Sequence, residues 1–211
     1  MLGIIRVITM QRQADIDQHG LLIQKDSGIR TLSACIPNQP NGVYDEATEA
    51  ESLPKIVALA RELELRGCRA IGISCAADPA LEEARLAVGV PVYGAGSCAA
   101  RRALRIAPRV GVLTILEEIP PLIYEVLGQA YIGMDRPEGV VTTLDLQTPS
   151  GREAAIEAAR RLQARGAEVL VLACTGFASI DFAAELFART GIVAVDPILA
   201  LGAEVVHDLT V

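Results

Sequence analysis

The sequence predicts an α/β fold of two similar halves, each built on a parallel sheet with helices on both faces. Apolar runs of about four to eight residues alternate with helical patterns along the 211 residues, and continuous apolar runs are typical of parallel strands covered on both faces. A stretch that ends at Cys75 recurs 99 residues later, where it ends at Cys174. Such internal repetition indicates a duplicated unit. We therefore expect a doubly wound, pseudo-twofold architecture with a cleft between the halves.

The predicted strands are the apolar runs that are bounded by turn residues. In chain order they are residues 3–9, 30–35, 70–74, 90–93, 110–115, 139–144, 169–173 and 192–195. Helical periodicity occupies most of the intervals between them. The predicted helices are residues 45–66, 79–88, 98–106, 117–128, 150–165, 180–190 and 197–209. Glycines such as Gly67 and Gly166 fall where these helices should end, which supports the alternation.

The repeat divides the chain into two predicted halves. Six of the sixteen residues 60–75 are identical to their counterparts in 159–174, namely Ala60, Arg61, Leu63, Arg66, Gly67 and Cys75. The first strands match as well, because residues 2–5 resemble residues 110–113. We expect the halves to span residues 1–100 and 101–211, with the C-terminal helix packed back on the first half. No proline- or serine-rich linker separates them, so a close packing interface is expected rather than a flexible tether.

The composition excludes several classes of partner. The chain is 51% hydrophobic and 21% charged, which is enough apolar content for a sizeable core. Its net charge of −7 provides no basic stripe for a phosphate backbone, so no nucleic acid is expected as a partner. No apolar run reaches the roughly 18 residues of a membrane-spanning helix, so no membrane is expected as a partner either.

The cysteine content indicates the redox compartment. The five cysteines are odd in number and form no Cys-x-x-Cys pair, which favours a reducing compartment over a disulfide framework. We therefore expect a cytoplasmic protein with free thiols that acts on a small-molecule substrate. We also expect a homo-oligomer.

Cys75 and Cys174 are the predicted catalytic residues. Each follows an apolar strand, and ligands of parallel sheets bind beyond the carboxyl ends of the strands. Two facing halves would place one thiol on each side of the cleft, where the pair could reach opposite faces of one carbon atom. Racemisation requires two acid/base groups in that arrangement. The other cysteines, Cys35, Cys68 and Cys98, are interpreted as small buried residues.

Both predicted catalytic thiols are expected to have a lowered pKa. Asp78 and Pro79 are typical of an N-cap and a first helical position, which would place Cys75 just before a helix N-terminus. The residues after Cys174 indicate a second turn into a helix. Backbone N–H groups at such sites lower the pKa of a cysteine from about 8.5 to roughly 3.5–7.5, and they would also stabilise an enolate oxygen.

Substrate-binding groups are expected at the same strand ends. Backbone amides beside the two cysteines, together with threonine hydroxyls, would orient a carbonyl or carboxylate group. The predicted substrate-binding residues are Thr9, Ala76, Ala77, Thr114, Thr175 and Gly176.

No metal or cofactor is expected. The two histidines, His19 and His207, lie at opposite ends of the chain and are assigned surface or capping roles, with residues 15–20 predicted to form a solvated loop. Two histidines and scattered thiols provide too few ligands for a zinc site. Residues 94–96 read Gly-Ala-Gly, which lacks the third glycine of a dinucleotide-binding fingerprint. The sequence has neither a Gly-x-Ser-x-Gly elbow nor a P-loop.

Two motifs around the cysteines resemble the aspartate/glutamate/hydantoin racemase superfamily, and within it the hydantoin racemase-like branch. Residues 75–81 are similar to that branch's Cys-x-x-Asp-Pro-x-Leu motif. Residues 173–177 are similar to its Gly-Cys-x-Gly-Met motif, with Ala173 and Phe177 in place of the first glycine and the methionine. Residues 90–96 and 195–197 also resemble family segments, so the resemblance covers nearly the whole chain.

The resemblance implies cofactor-independent racemisation by two cysteines, with 5-substituted hydantoins or a related small molecule as substrate. Glutamate racemases have Thr-His after the second cysteine, where this chain has Thr175 and Gly176. The Asn-Pro-Asn-Thr-like segment of hydantoin racemases is replaced by Thr-Met-Gln-Arg at residues 9–12. The enzymatic alternatives are an amino-acid racemase of aspartate/glutamate type, a maleate-type isomerase and a malonate-type decarboxylase, which needs only one proton donor. A non-catalytic two-lobed protein that binds a small acid is the alternative of a different class.

Overall fold

Two four-stranded parallel sheets form the framework of the protein. The computed structural model describes the backbone of residues 1–210 and the side chains of residues 1–208, so Val211, the last residue of the predicted second half, lies outside the described residues. The first sheet contains β1 (Leu2–Arg6), β2 (Thr31–Cys35), β3 (Ala70–Ser74) and β4 (Val92–Gly94) in the order β2-β1-β3-β4. The second contains β5 (Val110–Leu113), β6 (Tyr131–Asp135), β7 (Val169–Leu172) and β8 (Val193–Val195) in the order β6-β5-β7-β8. The identical strand order confirms the predicted pseudo-twofold α/β fold.

Helices alternate with these strands along the chain. They are α1 (Gln13–Ser27), α2 (Glu46–Leu65), α3 (Leu81–Ala87), α4 (Ala95–Leu104), α5 (Pro121–Leu127), α6 (Pro149–Ala164), α7 (Phe182–Thr190) and α8 (Pro197–Thr210). Short 3₁₀ helices occupy Gly128–Ala130, Asp145–Gln147 and Thr175–Ile180.

The sequence repeat corresponds to a structural repeat. Helices α2 and α6 end at equivalent positions, and each is followed two residues later by a glycine in the left-handed region, Gly67 with φ 84° and Gly166 with φ 93°. Glycine adopts this conformation without a Cβ penalty and redirects the chain into the next strand. The strands that follow, β3 and β7, lie at equivalent positions in their sheets and lead to Cys75 and Cys174.

One apolar core joins the two sheets. Leu2 and Ile4 of β1 and Val110 and Val112 of β5 belong to a single buried cluster that also contains residues of α4 and α8. Helix α8 contacts β3 and β4 of the first sheet, and α4 contacts β7 and β8 of the second. The predicted boundary at residue 100 falls inside α4 and stays a prediction. Because the sheets share this core, the cavity between them has well-packed walls.

The second predicted strand of the C-terminal half is wrong. Residues 139–144 form turns, because Gly139 is left-handed with φ 73° and the backbone N–H groups of Val141 and Thr142 bind the Asp145 carboxylate. The strand is β6, Tyr131–Asp135, whose five residues are all half-buried. An edge strand of this kind lacks the continuous apolar run by which strands were recognised.

Other element predictions need smaller corrections. Helix α1 was missed, since residues 15–20 were expected to form a loop; its buried face consists of only His19, Gly20 and Ile23. The predicted helices at residues 79–88 and 117–128 begin later, at Leu81 and Pro121. The helix predicted from residue 98 begins earlier, at Ala95.

Candidate active site

The carboxyl ends of the strands surround one cavity between the two halves. Its volume is about 90 Å³, and residues of both halves form its wall. Cys75, at the end of β3, and Cys174, at the end of β7, both line it, as the repeat predicts. A cavity of this size suits a small molecule. Within residues 1–208, no group of three or more histidine, cysteine, aspartate or glutamate side chains could hold a metal ion.

Cys75 lies in a loop that is anchored on α4. The predicted N-cap role of Asp78 for the helix at residue 79 is wrong, because its carboxylate accepts hydrogen bonds from the backbone N–H groups of Gly96 (2.8 Å) and Ser97 (2.7 Å). The N-cap of α3 is instead Ala80, which is left-handed with φ 55°. This long-range capping interaction fixes the position of the loop that presents the Cys75 thiol.

The Gly-Ala-Gly sequence at residues 94–96 has a structural explanation in this loop. A Cβ atom on Gly96 would lie 2.0 Å from the carbonyl oxygen of Ala76, and one on Gly94 would lie 2.3 Å from the Asp78 carboxyl carbon. Only glycine allows this close approach between the N-terminus of α4 and the cysteine loop. These two glycines therefore help to fix the position of the Cys75 thiol, and they form no dinucleotide-binding fingerprint.

Cys174 is the N-cap residue of the 3₁₀ helix Thr175–Ile180. The turn at residues 139–144 covers the Cys174 side chain. The Thr143 hydroxyl lies 3.8 Å from the Cys174 sulfur. A Cβ atom on Gly176 would lie 2.2 Å from the Thr143 methyl carbon, so glycine is needed for this approach. Thr143 also lines the cavity. Sequence reasoning missed it because it placed Thr143 in a strand.

The expected lowering of the Cys75 pKa is wrong for this structure. Burial raises the pKa of the Cys75 thiol to about 12, a hydrogen bond from the Ala77 backbone N–H opposes the rise, and the charges of Asp78 and Cys174 add to it. The helix N-terminus that was expected to favour the thiolate begins at Leu81, beyond the cysteine loop. Cys75 is therefore a neutral thiol in this structure.

Burial raises the pKa of Cys174 as well, so the expected lowering is wrong for this thiol too. Cys174 nevertheless has more hydrogen-bond donors than Cys75. The backbone N–H groups of Gly176 and Phe177 and the Thr143 hydroxyl oppose the rise in its pKa. No acidic residue contributes to the rise, in contrast to Cys75. Of the two sulfurs, Cys174 is thus in the environment that better stabilises a thiolate.

The predicted substrate-binding residues separate into two groups. Four of them line the cavity, namely Ala76, Ala77, Thr175 and Gly176. Thr9 and Thr114 do not line the cavity, because their hydroxyls form hydrogen bonds with backbone groups of neighbouring loops. Thr9 donates to the Ile36 carbonyl oxygen at 2.7 Å, and Thr114 accepts from the Leu116 N–H at 3.1 Å. Strand-end position alone does not place a side chain in the site.

His19 lies in the cavity wall, and its expected surface role is wrong. It is 2% exposed and comes from α1. Its Nδ1 lies 2.7 Å from the Ser74 hydroxyl and its Nε2 lies 3.0 Å from the Ser179 hydroxyl, so it bridges the two halves. Burial, with the nearby Arg6 charge, holds the pKa of His19 well below its usual value. The ring is therefore neutral, and one serine donates to it while the other accepts. His207, in contrast, is exposed.

Arg6 is a second residue of the cavity wall that sequence reasoning missed. It ends β1 and is 6% exposed. Its Nη1 atom donates to the carbonyl oxygens of Asp15 (2.8 Å) and Ile16 (3.1 Å) in α1. Burial lowers the pKa of Arg6 to about 10, which leaves the guanidinium charged at neutral pH. A lone arginine inside an apolar strand run was the signal that could have identified it.

The remaining cysteines lie outside the cavity wall. Cys68 and Cys98 are buried in the apolar cores, as predicted, and Cys35 at the end of β2 is only half-buried. All five thiols are free.

Comparison with known proteins identifies the family. Residues 22–205 match the family model described as Asp/Glu/Hydantoin racemase. The chain belongs to this family. It is 31% identical over 178 residues to a hydantoin racemase from Rhizobium meliloti, which covers 80% of this chain and 72% of that protein. It is 30% identical over 173 residues to a hydantoin racemase from Pseudomonas sp. (strain NS671), which covers 78% of this chain and 66% of that protein. The predicted family and racemase class are confirmed.

Solved structures of the Asp/Glu/hydantoin racemase fold are similar over almost the whole chain. An allantoin racemase from Klebsiella pneumoniae has a TM-score of 0.86 at 21% identity, over 99% of this chain and 87% of that one. A glutamate racemase from Bacillus anthracis has a TM-score of 0.73 at 13% identity, over 99% of this chain and 81% of that one. At these identities the likeness establishes the fold alone.

Proposed function

We propose that Cys75 and Cys174 are the acid/base pair of a cofactor-independent racemase that acts on 5-substituted hydantoins or related small cyclic substrates. The observation that carries this proposal is that the two thiols line one cavity, one from each half. The similarity to hydantoin racemases from two organisms supports the substrate class. The fold shared with an allantoin racemase is consistent with it.

The proposed reaction removes a proton from one face of the substrate carbon and delivers a proton to the opposite face. One cysteine, as the thiolate, removes the proton from C5, and the bonding electron pair is delocalised into the adjacent ring carbonyl. The opposite cysteine, as the thiol, then donates its proton to the other face of C5, so that a new C–H bond forms with inverted configuration. The two cysteines have exchanged protonation states at the end of the turnover. No other acid, base or electron acceptor is consumed.

The environment of the thiols favours a substrate with an acidic C–H bond. Burial raises the pKa of Cys75 to about 12, so little of this thiol is ionised at pH 7. A base that is present in so small a fraction favours a substrate with an acidic C–H bond, such as a hydantoin, whose C5 carbanion is delocalised into a neutral ring carbonyl. The α-proton of an amino-acid zwitterion is less acidic, so the same thiols are a poorer match for it. This argument supports the hydantoin class over an amino-acid substrate.

The residues around each sulfur have proposed roles that follow from their contacts. The three donors at Cys174, which include the Thr143 hydroxyl, make it the proposed base of the resting enzyme. The Gly176 and Ala77 N–H groups are proposed to stabilise the thiolates. Ala76 and Thr175 also line the cavity. Their backbone N–H groups are proposed to orient the ring carbonyls of the substrate.

The experiment that tests this function uses enantiopure substrates. The purified protein is treated with a chelator, given no pyridoxal phosphate, and incubated with each enantiomer of several 5-substituted hydantoins and of aspartate and glutamate. Loss of optical rotation is expected for the hydantoins, together with exchange of the C5 proton in deuterated water. Rotation and exchange with the amino acids alone would favour the amino-acid racemase instead. Binding without exchange would favour a non-catalytic protein.

We propose that the protein is a homo-oligomer of the cytoplasm. Free thiols at all five cysteines support a reducing compartment. In residues 1–210, the helices are too short or too polar to cross a bilayer. Light scattering during size-exclusion chromatography would give the mass, and a monomer of 22.3 kDa would contradict the oligomer.

A further inference from the structure

Arg6 lines the active-site cavity on the side of the first sheet. In the register of the sheet, Arg6 is opposite Cys35 of β2 and Ser74 of β3. Side chains in such a row point to the same face of the sheet. That face is covered by α1, and the Arg6 Nη1 atom donates to the backbone carbonyl oxygens of Asp15 and Ile16. One end of the guanidinium is thus fixed, and Arg6 is one of the residues that line the cavity.

This buried charge has no salt-bridge partner among the described residues, and the charge of the more distant Asp15 carboxylate offsets it only in part. Within residues 1–208, no carboxylate lies within 4.0 Å of the Arg6 guanidinium. The Asp15 carboxylate is held by Arg12, whose Nε and Nη2 atoms both lie at 2.7 Å from it. No aspartate or glutamate of the described residues contributes to the cavity wall, and His19, the other basic residue there, is neutral. A buried charge that lacks a partner is costly, and an anionic ligand would provide one.

Two nitrogen atoms of Arg6 remain available for such a ligand. Its Nη1 atom makes both of the side chain's hydrogen bonds, which leaves Nε and Nη2 without an acceptor in the part of the chain that the structure describes. Among the described residues, Ser33 Oγ is the one side-chain nitrogen or oxygen atom that is both fully buried and without a hydrogen-bond partner. Nε and Nη2 of Arg6 lack a partner but are not in that class, so they are not fully buried. Both atoms therefore retain accessible surface. A guanidinium edge of this kind matches the two oxygens of a carboxylate.

We propose that Arg6 is a specificity-determining residue that binds a carboxylate on the 5-substituent of the substrate. The inference rests on the proposed function, because the cysteines hold the reacting ring carbon and Arg6 then faces the group attached to it. The preferred substrates are hydantoins with a short acidic substituent, such as carboxymethyl or 2-carboxyethyl. Neutral substituents of the same size would leave the Arg6 charge unpaired.

The test compares each acidic hydantoin with its amide, which has nearly the same shape and no charge. Dissociation constants are measured by calorimetry for the carboxymethyl and 2-carboxyethyl hydantoins and for the two corresponding amides. The wild-type protein should bind the better carboxylate about 10- to 100-fold more tightly than its amide, as expected for charge-assisted hydrogen bonds. In Arg6→Gln this preference should fall to within about twofold of unity.

Matched variants separate recognition from structure. Arg66→Gln removes an arginine that is exposed and outside the cavity wall, and it should leave the carboxylate preference unchanged. Arg6→Lys keeps the charge and should retain part of the preference even if Arg6→Gln fails to fold. If Arg6 only anchors α1, its variants will lower the melting temperature and weaken both ligands equally. That result, or a wild-type protein that binds neither carboxylate better than its amide, overturns the proposal.

Binding and turnover give separate answers. If the carboxylate preference depends on Arg6 but no hydantoin is racemised, the proposed function fails and the anion-binding role of Arg6 stands. If the neutral and acidic hydantoins are racemised and bound equally well, the function stands and the role of Arg6 is refuted.

Discussion

Replacing one of the two proposed catalytic thiols should abolish racemisation and leave one of the two proton-transfer half-reactions. In Cys75→Ala or Cys174→Ala, no proton donor remains on one face of the substrate. Racemisation should fall by more than the roughly 10²- to 10⁴-fold expected for the loss of one general acid/base. Because the equilibrium constant of a racemisation is one, kcat/KM must fall equally for both enantiomers. The two thiols can therefore be told apart only by proton exchange without inversion.

The structure gives the magnitude expected for the residual exchange. With a pKa of about 12, Cys75 is a thiolate in only about one molecule in 10⁴ at pH 8. Cys174, which has three hydrogen-bond donors, should ionise more readily. We expect Cys75→Ala, which keeps Cys174, to exchange one enantiomer faster than Cys174→Ala exchanges the other. Exchange by Cys174→Ala should rise about tenfold for each pH unit.

The assay follows the C5 proton of each enantiopure hydantoin by NMR in deuterated water, with chiral chromatography on the same samples. A sample without enzyme gives the spontaneous exchange rate, and Cys35→Ala, which removes a thiol outside the cavity wall, is the matched control. The two variants should exchange opposite enantiomers without inverting them. Exchange of the same enantiomer by both variants, or racemisation by either at the wild-type rate, would refute the two-thiol mechanism.

Three further predictions concern ionisation, the bridge between the halves and the loop anchor. Because burial raises the pKa of both thiols, kcat/KM of the wild-type enzyme should rise with pH from 6 to 9, and a plateau below pH 7 would show that a thiolate already exists in the free enzyme. His19→Phe removes the contact with Ser179 in the other half and the contact with Ser74 in the same half, and it should lower kcat at least about tenfold, with a melting temperature several degrees lower. Unchanged kinetics would exclude a positioning role for His19. Gly96→Ala forces a Cβ atom against the Ala76 carbonyl oxygen and should destabilise the protein by about 1–3 kcal/mol in urea unfolding, whereas Gly89→Ala, with its 3.3 Å contact to a flexible glutamate, is the milder control; equal effects of the two would contradict the anchor.

The arrangement of charge favours chemistry that passes through an anion. Among the residues that the structure describes, the cavity wall contains one permanent charge, Arg6, and no carboxylate. Burial raises the pKa of both thiols, so the thiolate that the proposed mechanism requires, and the carbanion that it forms, hold their negative charge in a place that is poorly hydrated. The N–H groups at Ala77 and Gly176 point at the sulfurs that hold this charge in turn. Preorganised donors of this kind are effective because they need no reorientation during the reaction.

The sequence by itself determined the framework and the equivalent positions of Cys75 and Cys174. Continuous apolar runs predict buried parallel strands, since such strands are covered on both faces. The repeat predicts equivalent positions for Cys75 and Cys174, because a duplicated unit folds twice into the same local structure. These features depend on residues that are close together along the chain. For the same reason the half-buried strand at Tyr131–Asp135 and helix α1, whose apolar faces are short, were missed.

Only the tertiary structure decided which residues surround the two thiols and how the pKa values of the thiols are shifted. Asp78 next to Pro79 has the local pattern of an N-cap, but its carboxylate caps α4, 18 residues further on, because the sheet brings that helix end beside the loop. His19 joins Ser74 and Ser179 across sequence separations of 55 and 160 residues, which no local pattern encodes. The sign of the thiol pKa shift likewise depends on burial, and burial is a sum over distant segments. The physical reason is common to these cases: periodicity and capping patterns are local, whereas desolvation and long-range hydrogen bonds exist only once both halves have packed together.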